Sequence, residues 1–186
     1  MPGNLQASPT LPVTSAMELP GDLEADNPLW RFALEFWRLP SVQEASLALQ
    51  NEGWSVTRIL CAGWLALNNR VYTGSESTKV TEWRGRVTGC LRAARQSLPK
   101  AQAPYSALRL TLAELELEAE KIELALAWQT IPDQNPEKHT IHTEDELIHT
   151  NLAAAAPEQG TTAHAQPFLD QLGAILSDFK QRDASP

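Results

Sequence analysis

Cysteine is scarce in this chain: two residues, Cys61 and Cys90, in 186. Both lie in apolar helical patterns, which reads as buried free thiols in a reducing compartment rather than a disulfide framework. Basic residues are missing altogether from the first 27 positions, which carry four acids and no apolar core segment. That excludes a secretory signal there and points to a cytoplasmic protein. No apolar run approaches the roughly 20 residues needed to cross a bilayer, so no membrane partner is expected. Gly-rich phosphate loops are absent, both GxGxxG and the P-loop pattern. So are the G-x-S-x-G nucleophile elbow and the H-E-x-x-H zinc motif. Neither cysteine has a histidine placed beside it for nucleophilic catalysis. These absences leave no catalytic residue, metal ligand or cofactor to assign, and the reading leans to a non-catalytic protein.

A strong basic face is lacking too. The net charge is -8. Residues 28–100 hold ten bases against five acids, while both ends of the chain are acidic. A mildly basic body between acidic ends does not describe a dedicated nucleic-acid binder.

What the chain does have is apolar helix. The stretch VTRILCAGWLAL, Val56 to Leu67, has no strongly polar residue after Arg58. A helix apolar on every side has no face for water and belongs inside. It is too long, and too rich in Leu and Ala, for a buried strand. Everything else is expected to wrap it. Gly63 costs this helix about 1 kcal/mol in propensity relative to Ala, which suggests a neighbouring helix passing close by.

The other elements follow from caps and periodicity. Residues 1–26 are rich in Pro, Gly, Ser and Thr without a period and read as a disordered extension. Asn27 followed by Pro28 opens a first helix. Trp30, Ala33, Leu34 and Trp37 form one apolar face of it, and Leu29, Phe32 and Phe36 form another. Ser41 and Glu44 have the spacing of a capping box for a second helix, and Gly53 is its natural left-handed stop. A fourth helix spans 78–98, with Val80, Trp83, Val87, Leu91 and Leu98 along one face and four arginines beside it. A fifth spans 105–129 with a heptad-like seam, and its many glutamates suit an antiparallel return along the arginines. Residues 132–166 turn polar and read as a flexible linker. Residues 167–181 form a short amphipathic tail helix that needs a surface to dock on, because ordering its backbone costs about as much as its apolar face returns. The fold expected is therefore all-α: a compact bundle of about five helices over 27–131 around a buried central helix, plus the flexible tail.

The segment 29–65 resembles an uncharacterised proteobacterial family known as domain of unknown function 2390. The resemblance rests on Leu29, Trp30, Phe32, Ala33 and Leu34, then Pro40 and Val42, then Leu49, Gln50 and Gly53, and finally Val56, Leu60, Trp64 and Leu65. It fades after about Leu126. Members usually carry Asn-Leu where this chain has Thr57 and Arg58. The resemblance implies an all-helical domain and no mechanism, and places the segment after 131 outside the family's common part.

Three functional readings stay open. The first is a small interaction or adaptor protein. Leu110, Leu117 and Leu124 recur seven apart on the side of the fifth helix opposite its seam, and Phe168, Leu172, Ile175 and Phe179 mark the tail helix. Either surface can meet a protein partner, a second copy, or the other one. The second is a ligand-binding or enzymatic domain with a Trp-lined pocket, into which Arg31, Glu35 or Arg58 would point. The third is weak nucleic-acid or ribosome contact through Arg84, Arg86, Arg92 and Arg95. No aromatic ladder interleaves those arginines to stack bases. His139, His142 and His149, with Glu144, Asp145 and Glu146, match no closed metal geometry and read as solvated.

Overall fold

The computed structural model describes residues 15–100, 102–134 and 143–183. Among them there are helices and no β-strand. The chain is all-α, as its composition and periodicity require.

Asn27 caps α1 (Pro28–Trp37): its Oδ1 accepts from the Trp30 N–H at 2.9 Å. The helix α2 (Pro40–Asn51) begins at Pro40 itself, with Leu39 before it and no side-chain cap. Ser41 therefore lies inside the first turn, and the expected Ser41–Glu44 box does not form, because proline's fixed φ starts the helix without it. Gly53, at φ +87°, ends the segment in the left-handed region, as a glycine there should. Ser55 then caps α3 (Val56–Leu67) by accepting from the Arg58 N–H.

Nine of the twelve residues of α3 are buried. It touches α1, α2, α6 (Ala103–Gln134), α7 (Glu144–Ala154) and α8 (Gln166–Asp183). The central helix is thus enclosed as its sequence demands. The close approach at Gly63 is made by α8: a Cβ at Gly63 would stand 3.1 Å from a methyl of Leu176.

The arginine-rich helix is not uniform. It runs as α4 (Thr78–Trp83), a π-helical turn (Arg84–Thr88) and α5 (Gly89–Ser97). The Gly89 N–H donates to the Arg84 carbonyl across the wider turn. A Cβ at Gly89 would lie 2.9 Å from that same carbonyl oxygen, so glycine lets the turn close. The inserted residue rotates everything after it, and α5 ends with no buried side chain. Cys90, on this helix, is exposed rather than buried, while Cys61 is in the core; both are free thiols. α6 has 32 residues and spans about 48 Å. Its second half enters the core through Leu124, Leu126 and Ile131, whereas Leu108, Leu110, Leu115 and Leu117 on its first half are exposed.

The stretch expected to be linker contains α7. Thr143 and Glu146 form its capping box, each side chain bonding the other's backbone N–H. Leu147, Ile148 and Leu152 are buried against the core. Asn151 is buried and fully used: it accepts from the Tyr72 N–H at 2.9 Å and donates to the carbonyls of Ala62 and Arg70 at 3.2 and 2.9 Å. Arg58 donates to the carbonyls of Ala154 and Ala155, closing the C-terminal end of α7, where a cation is favoured. Only three large apolar side chains of α7 face inward, so its period is hidden in a polar stretch.

α8 lies on α2, α3 and α7. Leu169, Leu172 and Leu176 are buried, and Phe179 meets Phe32 and Phe36 edge-on at 5.8 and 5.7 Å. The tail helix finds its surface on its own body, and one continuous core extends from Leu29 to Leu176. No described helix is long and apolar enough to cross a membrane.

Candidate functional site: an apolar groove backed by ion pairs

The two apolar faces of α1 have different fates. Leu29, Phe32 and Phe36 go into the core. Trp30, Leu34 and Trp37 instead form one wall of a groove of about 480 Å³. Leu47 and Gln50 of α2 continue that wall, and Leu60 and Leu124 lie at its base. The facing wall is α6, with Glu116, Leu117 and Glu120, joined by Arg95 of α5. Leu34, Leu47 and Leu117 are 45%, 48% and 52% exposed. Three helices thus turn half-exposed leucines toward one space. The volume falls in the range typical of ligand and peptide sites.

The α5–α6 side of the groove is held by charge. Arg92 donates to Glu116 at 2.8 Å and to Glu120 at 2.7 Å, and Arg95 bonds both oxygens of Glu116. Burial disfavours ionisation of Glu116, but bonds from Arg95 and Arg92 overcome it and keep its carboxyl below the ordinary value. Glu120 behaves oppositely. Burial, reinforced by Glu116 and Glu123, pushes its carboxyl up to about 7 despite the single bond from Arg92.

A second ionic cluster lies deeper. Glu76 accepts from Arg58 at 2.7 Å and from two nitrogens of Arg84 at 2.7 and 2.6 Å. Arg84 also donates to Glu123 at 2.7 Å, and Thr57 donates to the same Glu123 oxygen. The cluster joins α3, the loop before α4, the π-helical turn and α6. Burial opposes the charge on Glu76, yet Arg84 and Arg58 hold its carboxyl below the ordinary value. Burial likewise opposes the charge on Arg84, and Glu76 and Glu123 win, raising its guanidinium further. Cys61 is close by, but burial pushes its thiol far up, so it stays protonated and is a poor nucleophile. The cluster is built to hold helices together.

The residues singled out by sequence divide sharply. Leu110 and Leu117 are exposed on α6, while Leu124 is 1% exposed and forms part of the groove's base. Phe168, Leu172, Ile175 and Phe179 all pack in the core; the face expected to recruit a partner is used in folding. Arg84, Arg92 and Arg95 are paired with glutamates of α6, and Arg86 bonds Glu82 and the Ser15 carbonyl. The antiparallel return of glutamates along arginines is present, and its acids Glu116 and Glu123 are buried. Arg31 and Glu35 pair with Asp26 and Arg38 at the surface, and Arg58 sits in the deeper cluster, so none of the three points into the groove. His139 and His142 lie outside the described residues, and no group of three or more metal-ligating side chains occurs among those described. The sequence places Trp30, Leu34 and Trp37 on one apolar face and leaves a Trp-lined pocket open without assigning its residues, while Leu47 and Glu120 are not marked as site residues. A signal existed: α1 is apolar on two faces, and Leu47 falls out of phase with the inward residues of α2.

Fold and site together define an all-α protein with one core and an open, Trp-walled apolar groove. The chain belongs to DUF2390, a protein family of unknown function, whose model matches residues 28–126. No curated protein and no solved structure matches it. The matched segment stops within α6, so α7 and α8, which complete the packing on α3, lie beyond it.

Proposed function

We propose that this is a non-catalytic interaction protein whose groove receives an amphipathic helix from a protein partner. The observation that carries this reading is the convergence of Leu34, Leu47 and Leu117 beside Trp30 and Trp37. The shape of the apolar surface favours a helix over a compact ligand. Leu124, Leu117 and Leu110 continue it seven residues at a time along α6, for about 21 Å. That length matches about four turns of a docked helix, a recognition mode in which leucines every three or four residues enter an apolar channel. Leu110, 67% exposed, has no role in the fold that explains it.

A direct test uses a synthetic amphipathic helix with a leucine face, titrated against the full chain while tryptophan fluorescence is recorded. Saturable binding is expected, lost in the double substitution Leu47→Asp and Leu117→Asp, with helical content retained because both side chains are half exposed. Binding that ignores both substitutions would reject the groove.

A second reading is favoured by the polar end of the groove. A small apolar ligand bearing one polar group fits between Trp30 and Trp37 with its polar atom toward Glu120. The same titration with Leu110→Asp separates the two, since a docked helix runs along Leu110 and a compact ligand between the tryptophans does not reach it.

A further inference from the structure

The groove carries information about the charge of its occupant, and the inference below rests on the groove reading above. The guanidiniums at the buried end of the groove are spent on glutamates, and Arg38 stands at its exposed rim. Arg38 gives one nitrogen to both oxygens of Glu35, at 2.7 and 2.9 Å. Arg95 is spent on Glu116, and Arg92 on Glu116 and Glu120. Glu116 has both oxygens filled. Glu120 differs: Oε1 accepts from Arg92, and Oε2 receives no donor among the described residues. From α2 and α3 the lining receives Gln43, Gln50 and Thr57 and no charge. An anion reaching the Glu116–Glu120 end of the groove meets Arg92 and Arg95, which are already bonded to those glutamates, while Arg38 lies at the solvent-exposed rim. A cation meets a carboxylate oxygen with its acceptor capacity intact.

We propose that the occupant is a basic amphipathic helix, whose lysine or arginine donates to Oε2 of Glu120 while its apolar face covers Trp30, Leu47 and Leu117. A charge-assisted bond in a half-buried setting is stronger than its solvent-exposed equivalent. Glu120 is then the residue that selects the sign of the partner. Its surroundings make that selection depend on pH. Arg92 and Arg95 face it from α5, Glu116 and Glu123 from its own helix, and Arg38 from the end of α1. Arg84 bonds Glu123 rather than Glu120. Because burial brings its carboxyl up to about 7, the group is charged and attractive above neutrality and neutral below it.

The experiment compares two 16-residue peptides with the same leucine face, one with lysine and one with glutamate at its polar positions. Affinities for the full chain are measured by fluorescence at pH 6 and pH 8, at one ionic strength. At pH 8 the lysine peptide is expected to bind about tenfold more tightly, and the preference shrinks at pH 6. Glu120→Gln collapses the preference at pH 8 and removes its pH dependence. Glu158→Gln, the same change in net charge at an exposed acid away from the groove lining, leaves both in place. Circular dichroism checks that each variant is folded. Equal affinities, or tighter binding of the glutamate peptide, overturn the charge assignment and leave the groove standing. A preference that survives Glu120→Gln, or falls equally in Glu158→Gln, shows general attraction to an acidic protein and also overturns it. Failure of both peptides to bind overturns the groove reading and this inference with it.

Discussion

Replacing Leu172 by Ala tests whether the last helix is part of the body or an attachment to it. Leu172 is fully buried, in a helix that packs on α2, α3 and α7. Removing a leucine side chain from such a site costs about 2–5 kcal/mol, the lost transfer energy plus the cavity left behind. We take about 3 kcal/mol, since neighbouring Leu169 and Leu176 can relax into part of the space. Urea unfolding of a domain this size falls by about 2 kcal/mol per molar, so the midpoint should drop by about 1.5 M. The probe makes the test decisive. All six tryptophans lie between positions 30 and 128, and none is in α7 or α8. A change in the tryptophan transition therefore reports on the body, not on the helix that was altered. A tethered, separately melting helix would lose its circular dichroism early and leave the tryptophan midpoint unmoved. That result would refute the claim of one continuous core.

Two further outcomes follow from the ion pairs. Arg84→Met strips Glu123 and Glu76 of their main partner while leaving both buried, and should cost about 3–5 kcal/mol in urea unfolding; adding Glu123→Gln should restore a substantial part, and a cost of less than about 1 kcal/mol for Arg84→Met would show the cluster to be idle. Glu120 has a folded-state carboxyl near 7, above the ordinary value, so its contribution to stability is complete in acid and is lost as pH rises through 7. Between pH 5 and pH 8 it should lower stability by on the order of 2 kcal/mol, and Glu120→Gln should flatten the profile in that window; equal slopes in the two proteins would contradict the burial assigned to it.

Much of the architecture could be read from local chemistry. Asn27 and Ser55 cap the helices they precede, Gly53 adopts the left-handed turn, and the apolar run from Val56 is enclosed. Each depends on a few adjacent residues, so a linear pattern reports it faithfully. The errors came where one side chain has two plausible settings. The arginines of 84–95 meet the glutamates of α6 as the antiparallel return implies, but neither the π-helical turn nor the burial of Glu116 shows in the periodicity. The polar segment before α8 hides a helix because buried Asn151 does the work an apolar residue would signal. The groove was only half visible. Leu117 and Leu124 of the leucine stripe mark one side, while the other side belongs to a helix apolar on two faces, and nothing local says which of them stays open.

What the sequence by itself determined is the helical class, the central position of α3 and most helix ends, because capping, periodicity and the cost of exposing apolar surface act over a few residues. Only the tertiary structure decided which apolar face stays open. Leu29 and Leu34 are alike in the sequence, and one is wholly buried while the other is half exposed. Burial depends on which helices arrive from elsewhere in the chain, and α8 covers the Phe32 side of α1 while no described element fills the space beside Trp30 and Leu34.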